Sequence, residues 1–316
     1  MSFAQEVKQE ILQTALEPCE AIPFLSALFR MNGRFDDNRL VFKSVSLGLV
    51  RRVRLMVKER YDLDAHVSMF QQTNLKKQKV YECIVSDAEE MLSELGLLDG
   101  STFGGLLDDL LVLEPCAKIG FLKGSFLATG SINSPESSSY HLEISASQKK
   151  LIEAIRTLFD QLEIPAKTLK KKNNRYIVYV KESEKIADFL RLMGTTEALF
   201  TFEDERIKRD FYNSITRVLN IELANQNKTL QAADKQLKHI EILENLTDMD
   251  EYPQGLIEAV KLRRKYPESS LVELSIKSEE EYHKPISKSG LNHRFREIER
   301  LANEAMEAYH AKSHRH

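Results

Sequence analysis

The sequence predicts an α+β protein: a duplicated α/β half with pseudo-twofold symmetry, followed by an all-α module. Three observations predict it: an internal repeat, the same alternation of helix and strand patterns in both copies, and a change of composition after residue 203. FLSALFRMNGRF begins at Phe24 and FLKGSFLATGSI begins at Phe121, an offset of 121 − 24 = 97 residues. Phe24/Phe121, Leu25/Leu122, Phe29/Phe126 and Gly33/Gly130 coincide, and Cys19 and Cys116 each lie five residues upstream. A period of this length is too long for a solenoid unit. It predicts two small halves packed about an axis.

The first copy runs from residue 19 to about 98. A helix carries FLSALF, and Asn32-Gly33 favours a turn. A strand at Leu40–Ser44 follows, then a helix around Leu47–Arg60. A hairpin of Ala65–Gln71 with Lys79–Ser86 comes next, and a helix, Asp87–Leu95, stops at Gly96. The second copy, about 116–200, repeats the order. Its helix FLKGSFLA reaches Gly130, its strand is Tyr140–Ser145 and its next helix is Gln148–Leu162. Ala166–Lys170 pairs with Arg175–Lys181, where alternating side chains mark a half-buried strand. Helix Glu184–Met193 then ends at Gly194.

These copies define a domain over 1–203. Beyond it, Asp204–Val218 and Leu230–Leu246 read as charged helices within a linker at 204–252. The amide-rich Arg217–Lys228 between them reads as a hinge. Thr247–Pro253 is an acidic break. A compact module over 253–307 then holds helices at Gln254–Lys265, Ser270–Lys277 and Ser287–Glu307, and 308–316 reads as a frayed tail. Ser270 with Glu273 matches a capping box.

Composition narrows the class of function. At 42% hydrophobic and 29% charged residues the chain can bury a real core. No run approaches the roughly 18–20 apolar residues a membrane span needs. The acidic N-terminus lacks a signal-peptide core, so a cytoplasmic protein is expected. Three cysteines without CxxC spacing read as buried thiols of a reducing cytosol, neither a disulfide frame nor a zinc site. No cofactor or metal site is expected. The formal charge of −3 means that nucleic-acid binding must rest on local basic clusters.

One such cluster lies in the last helix. Leu291, Phe295, Ile298 and Leu301 form its core face, leaving Lys288, Ser289, Asn292, His293, Arg294 and Arg296 outside it. Between Lys284 and Arg296 there are four Lys or Arg and no Asp or Glu. Arg and Lys suit phosphate or guanine, Asn suits adenine, and Ser with helix-start N–H groups suits phosphate. That is the chemistry of a recognition helix in a helix-turn-helix, with double-stranded DNA as partner. A solvated helix face is the plain alternative. Two further basic groups occupy the hairpins: Lys76, Lys77 and Lys79 in the first copy, and Lys170, Lys171, Lys172 and Arg175 in the second. They suit backbone phosphates, or serve only to keep hairpin tips soluble.

The pattern FLxxxFxxxG[RS] resembles the signature helix of LAGLIDADG homing endonucleases. The resemblance implies two such helices at the centre of the fold, with an acidic metal ligand just before each final glycine. Here Asn32 and Thr129 hold those positions, so the resemblance implies a scaffold without its catalytic acids. An enzyme reading would have to use the displaced Asp36 or Asp37. A LAGLIDADG-like pair before a helix-turn-helix resembles the WhiA family of sporulation and cell-division regulators. SFAQEVKQEI, Phe121–Glu143, RVLNIELANQNK at Arg217–Lys228 and Ser270–Ala302 carry that resemblance across the chain. It implies a non-catalytic, sequence-specific transcriptional regulator linked to cell division and chromosome segregation, associated with the nucleoid. The N-terminal pair is expected either to help grip DNA or to serve as a platform for another regulatory protein. Oligomeric state is left open.

Overall fold

A computed structural model describes residues 1–71, 79–99, 102–104, 107–172 and 174–313. They form two compact units, Met1–Asp210 and Phe211–His316.

The first unit opens with helix α1 (Phe3–Gln13), which starts in a capping box between Ser2 and Gln5 and buries Phe3, Val7 and Ile11. The first copy then follows as α2 (Ala21–Asn32), β1 (Gly33–Asp36), β2 (Arg39–Ser44), α3 (Leu47–Tyr61), β3 (Ala65–Gln71), β4 (Lys79–Ser86) and α4 (Glu89–Glu94). A short hairpin, β5 (Leu98–Asp99) with β6 (Thr102–Phe103), leads to the second copy. That copy is α5 (Pro115–Thr129), β7 (Ser131–Ile132), β8 (Leu142–Ala146), α6 (Lys149–Gln161), β9 (Lys167–Lys170), β10 (Tyr176–Val180) and α7 (Ser183–Met193). Each copy builds a four-stranded antiparallel sheet of the same order, β1-β2-β4-β3 and β7-β8-β10-β9. The duplicated architecture expected from the repeat is present.

Helices α2 and α5 pack against each other at the centre of the core. Two glycines of α5 allow their backbones to meet. A Cβ on Gly124 would lie 2.5 Å from the Phe24 carbonyl oxygen, and one on Gly120 would lie 2.5 Å from that of Glu20. Beside this contact Lys123 Nζ lies 2.7 and 2.9 Å from the two Glu20 carboxylate oxygens, with both side chains buried. Opposite charge with direct hydrogen bonds makes such burial tolerable.

The cysteine expectation is corrected here. Cys19 is exposed and Cys116 half-buried, and the two form a disulfide with Cα atoms 6.1 Å apart. They occupy equivalent places in the repeat, and the pseudo-twofold axis brings those places together at the starts of α2 and α5. Cys83 is the buried thiol, and desolvation raises its pKa to about 11.

The expected hinge is also corrected. Helix α8 (Thr196–Leu246) runs unbroken through Arg217–Lys228, and the boundary between the two units falls within it. No Gly or Pro occurs from 196 to 246. Asn and Thr reduce helix propensity by only some tenths of a kcal/mol each, too little to break a long helix.

The second unit continues with α9 (Gln254–Lys265), α10 (Leu271–Tyr282) and α11 (Lys288–Ser313). Ile240 and Leu243 of α8 join Val260, Leu262, Leu274, Leu291, Phe295 and Ile298 in its core. The Ser270–Glu273 capping box is formed. Helix α10 extends past the expected Lys277 to Tyr282, where His283 ends it at φ 52. The turn before α11 is thereby shortened to residues 283–287.

Candidate nucleic-acid interface

The second unit positions α11 through hydrogen bonds in that turn. Ile286 N–H donates to Ser278 Oγ at 2.8 Å, Ser278 Oγ donates to the Ser275 carbonyl, and Ser275 Oγ donates to the Ile286 carbonyl at 2.6 Å. Ile286 itself is buried, which ties the turn to the core. Ser287 Oγ accepts from Gly290 N–H at 3.1 Å and so caps the start of α11.

Arg263 locks the back of the unit. Its guanidinium is buried, donating to Gln236 Oε1 at 3.0 Å and to the Ser269 carbonyl at 2.5 Å, and it lies over the Phe295 ring. Desolvation lowers its pKa to about 10. This residue was missed in the sequence. The available signal was its place on the apolar side of α9, in step with Ala259, Val260 and Leu262.

With Leu291, Phe295 and Ile298 turned inward, the outer side of α11 presents Lys288, Ser289, His293 and Arg296, all exposed, with Asn292 half-buried beside them. Lys284 is exposed on the preceding turn. The first turn of α11 holds no acid. Arg294 departs from this group. It turns to α9, lies 3.3 Å from Glu258 and covers Gly255. On the α8 side, Lys228 and Lys288 line one cleft of about 250 Å³ together with Ser269 and Ser270. Lys228 extends the basic surface and had no sequence signal, because its neighbours in the fold are distant in the chain.

In the first unit, Asn32 and Thr129 end the two central helices at matched places. Asn32 opens on a cleft of about 1210 Å³ that Lys8 and Lys43 also line. Thr129 Oγ1 donates to the Ser125 carbonyl at 3.5 Å. An amide and a hydroxyl are weak ligands for hard divalent cations compared with carboxylates. Asp36 ends β1 in an ion pair with Arg34 at 3.3 Å, and Asp37 occupies a left-handed turn position. Among the described residues no group of three or more His, Cys, Asp or Glu is placed to hold a metal ion.

The hairpin cations divide into two sets. Lys76 and Lys77 lie outside the described residues. Lys79, Lys170 and Lys172 are exposed, Lys170 lying over the Tyr176 ring. Lys171 instead pairs with Glu143 at 2.7 Å, and Arg175 donates to Ser145 Oγ at 2.6 Å. Burial opposes ionisation of Glu143, but hydrogen bonds from Lys171 and His141 outweigh it and hold the carboxyl below its usual range. In the first sheet Lys43 pairs with its cross-strand partner Glu82. Both sheets therefore neutralise part of their own positive charge.

Comparison with known proteins follows the same division of the chain. Residues 18–98 match the WhiA N-terminal LAGLIDADG-like domain, 118–212 the WhiA LAGLIDADG-like domain and 215–302 the WhiA C-terminal HTH domain. A probable cell division protein WhiA of Macrococcus caseolyticus is 38% identical over 315 residues, covering 98% of each chain. One from Bacillus cereus is 39% identical over 308 residues, covering 96% of each. The crystal structure of full-length DUF199/WhiA from Thermatoga maritima shares the fold, with a TM-score of 0.59 at 20% identity, covering 96% of this chain and 99% of that one. Among the described residues no helix is long and apolar enough to cross a membrane. With three family domains in order and relatives this similar over nearly their whole length, the chain belongs to the WhiA family.

Proposed function

We propose that the chain is a sequence-specific DNA-binding regulator of transcription acting in cell division and chromosome segregation, and that it is not catalytic. The observation that carries this reading is the outer side of α11, where Lys288, Ser289, His293 and Arg296 stand exposed with Asn292, free of acids in the first turn. Arg296, Asn292 and His293 reach base edges in the major groove, while Lys288, Lys284 and Lys228 meet phosphates. Arg294 is assigned to holding α9 against α11, given its pairing with Glu258. The WhiA relatives named as cell division proteins support the cellular role.

The test is binding of the full chain to genomic fragments selected by footprinting, read by fluorescence anisotropy across a salt series. Arg296→Ala with Asn292→Ala should weaken cognate binding by about 2–4 kcal/mol and relax specificity. Lys288→Ala should weaken cognate and random DNA alike and reduce the salt slope by about one. Unchanged affinity and slope in both variants would remove α11 as the reader. Plasmid DNA should stay intact with the protein in magnesium. Cleavage abolished by Asp36→Asn would instead establish a nuclease.

For the N-terminal sheets, the internal pairing of Lys171, Arg175 and Lys43 favours a platform for a protein partner over a DNA grip. Lys171→Ala should then leave DNA affinity within about twofold of wild type.

A further inference from the structure

The cleft beside Asn32 has a chemistry that the reading of DNA by α11 does not use. Its volume of about 1210 Å³ is above the roughly 300–1,000 Å³ of ordinary small-molecule sites, so it has room for a nucleotide. All the residues that line it belong to the first unit, and none of them is Asp or Glu. Two are lysines. Lys43 is already satisfied by Glu82 on the neighbouring strand. Lys8 has no acid in ion-pair contact among the described residues, and its ammonium lies 5.7 Å from the centre of the Phe126 ring. Desolvation lowers its pKa to about 8, with no neighbouring charge to offset the shift. A half-buried ammonium without a counter-ion costs stability, and an anion in the cleft would supply the missing charge and hydrogen bonds.

The walls around that cation are polar and neutral. Gln9 and Gln13 of α1 share its side of the helix, at spacings of one and five residues from Lys8, and Asn32 faces the same space from the end of α2. Their amides have no hydrogen-bond partner among the described residues. An amide offers donors and an acceptor together, the complement of a nucleobase edge. Ser44 and Ser46 line the cleft between β2 and α3. Ser44 Oγ accepts from Ser46 N–H at 3.1 Å and Ser46 Oγ from Leu49 N–H at 3.2 Å, so both keep a hydroxyl proton to donate. Leu12, Val80 and Leu127 add apolar surface against which a ring can pack.

We propose that this cleft is a nucleotide-binding site, with the phosphate held by Lys8 and the base met by the amides of α1 and Asn32. The proposal stands apart from DNA reading by α11, and its test contains no DNA. Isothermal titration calorimetry of the full chain with AMP, GMP, CMP and UMP in turn should find saturable binding of at least one, at one site per chain, with a Kd below about 1 mM. The matching nucleoside, which lacks the phosphate, and inorganic phosphate, which lacks the base, should each bind at least about tenfold more weakly. Lys8→Met should weaken the nucleotide at least about tenfold while raising thermal stability, so that lost binding cannot be lost folding. Asn32→Ala should weaken the nucleotide several-fold and leave inorganic phosphate unchanged.

No binding of any of the four, or binding indifferent to Lys8→Met, would overturn the site. Inorganic phosphate or the nucleoside binding as tightly as the nucleotide would overturn its assignment to a nucleotide, because one half of the ligand would then contribute nothing.

Discussion

Single residues in this molecule are governed by what burial does to charge. Lys8 is pushed down to a pKa of about 8 by desolvation, from an ordinary value of 10.5, and lies over the Phe126 ring. Between pH 8 and 10.5 the unfolded chain therefore binds the proton that the folded one has lost. Stability must rise with pH across that window, and the cost of charging Lys8 is fully present below it. Lys8→Met should stabilise the protein by about 1–2 kcal/mol at pH 7 and flatten stability between pH 8 and 10 in urea titrations. A variant no more stable than wild type would show that the ammonium is well solvated. Arg263 is the reverse case, because its buried guanidinium donates to Gln236 and to the Tyr266 and Ser269 carbonyls. Arg263→Met should cost about 2–4 kcal/mol and loosen α11. Hydrogen exchange in α11 would report it, and unchanged protection would dismiss the role. Lys123→Met should cost about 3–5 kcal/mol by leaving Glu20 buried without its partner, as thermal melts would show.

At the scale of elements, the decisive contact is the crossing of α2 and α5. Gly124 meets the Phe24 carbonyl and the Ala27 methyl, so Gly124→Ala forces the helices apart. A loss of about 2–4 kcal/mol is expected in denaturant titrations. A neutral result would mean that the crossing yields easily. The disulfide of Cys19 with Cys116 ties the same two helices over a separation of 97 residues. Reduction should lower stability by about 2–4 kcal/mol, and Cys19→Ser should abolish the difference between oxidised and reduced protein. The repeat and its order of elements were legible because Phe, Leu and Gly recur at one offset and alternation marks the strands. The close helix approach was less so: Gly120 and Gly124 share a face four residues apart, but only the packed structure shows a backbone opposite them. The unbroken α8 was hidden by its amide-rich composition, which lowers helix propensity only slightly where Gly and Pro are absent.

For the whole molecule, a formal charge of −3 goes with sheets that pair Lys43 and Lys171 with their own acids, while the outer side of α11 remains basic. Affinity for DNA should accordingly rest on few phosphates, and raising salt from 50 to 200 mM should weaken binding less than the roughly 10³–10⁵-fold of proteins with 6–10 such contacts. The sequence by itself determined the duplication, the helical module and the run without acids that faces outward on α11. These are local or periodic properties, written in the order of residues along one chain. Only the tertiary structure decided which of those cations are available. Arg294 finds Glu258 on another helix, Lys171 finds Glu143 across a sheet, and Cys19 finds Cys116 at the axis. Each pairing joins residues brought together by packing, and Coulomb attraction and hydrogen bonding act over ångströms in space, whatever the distance along the chain.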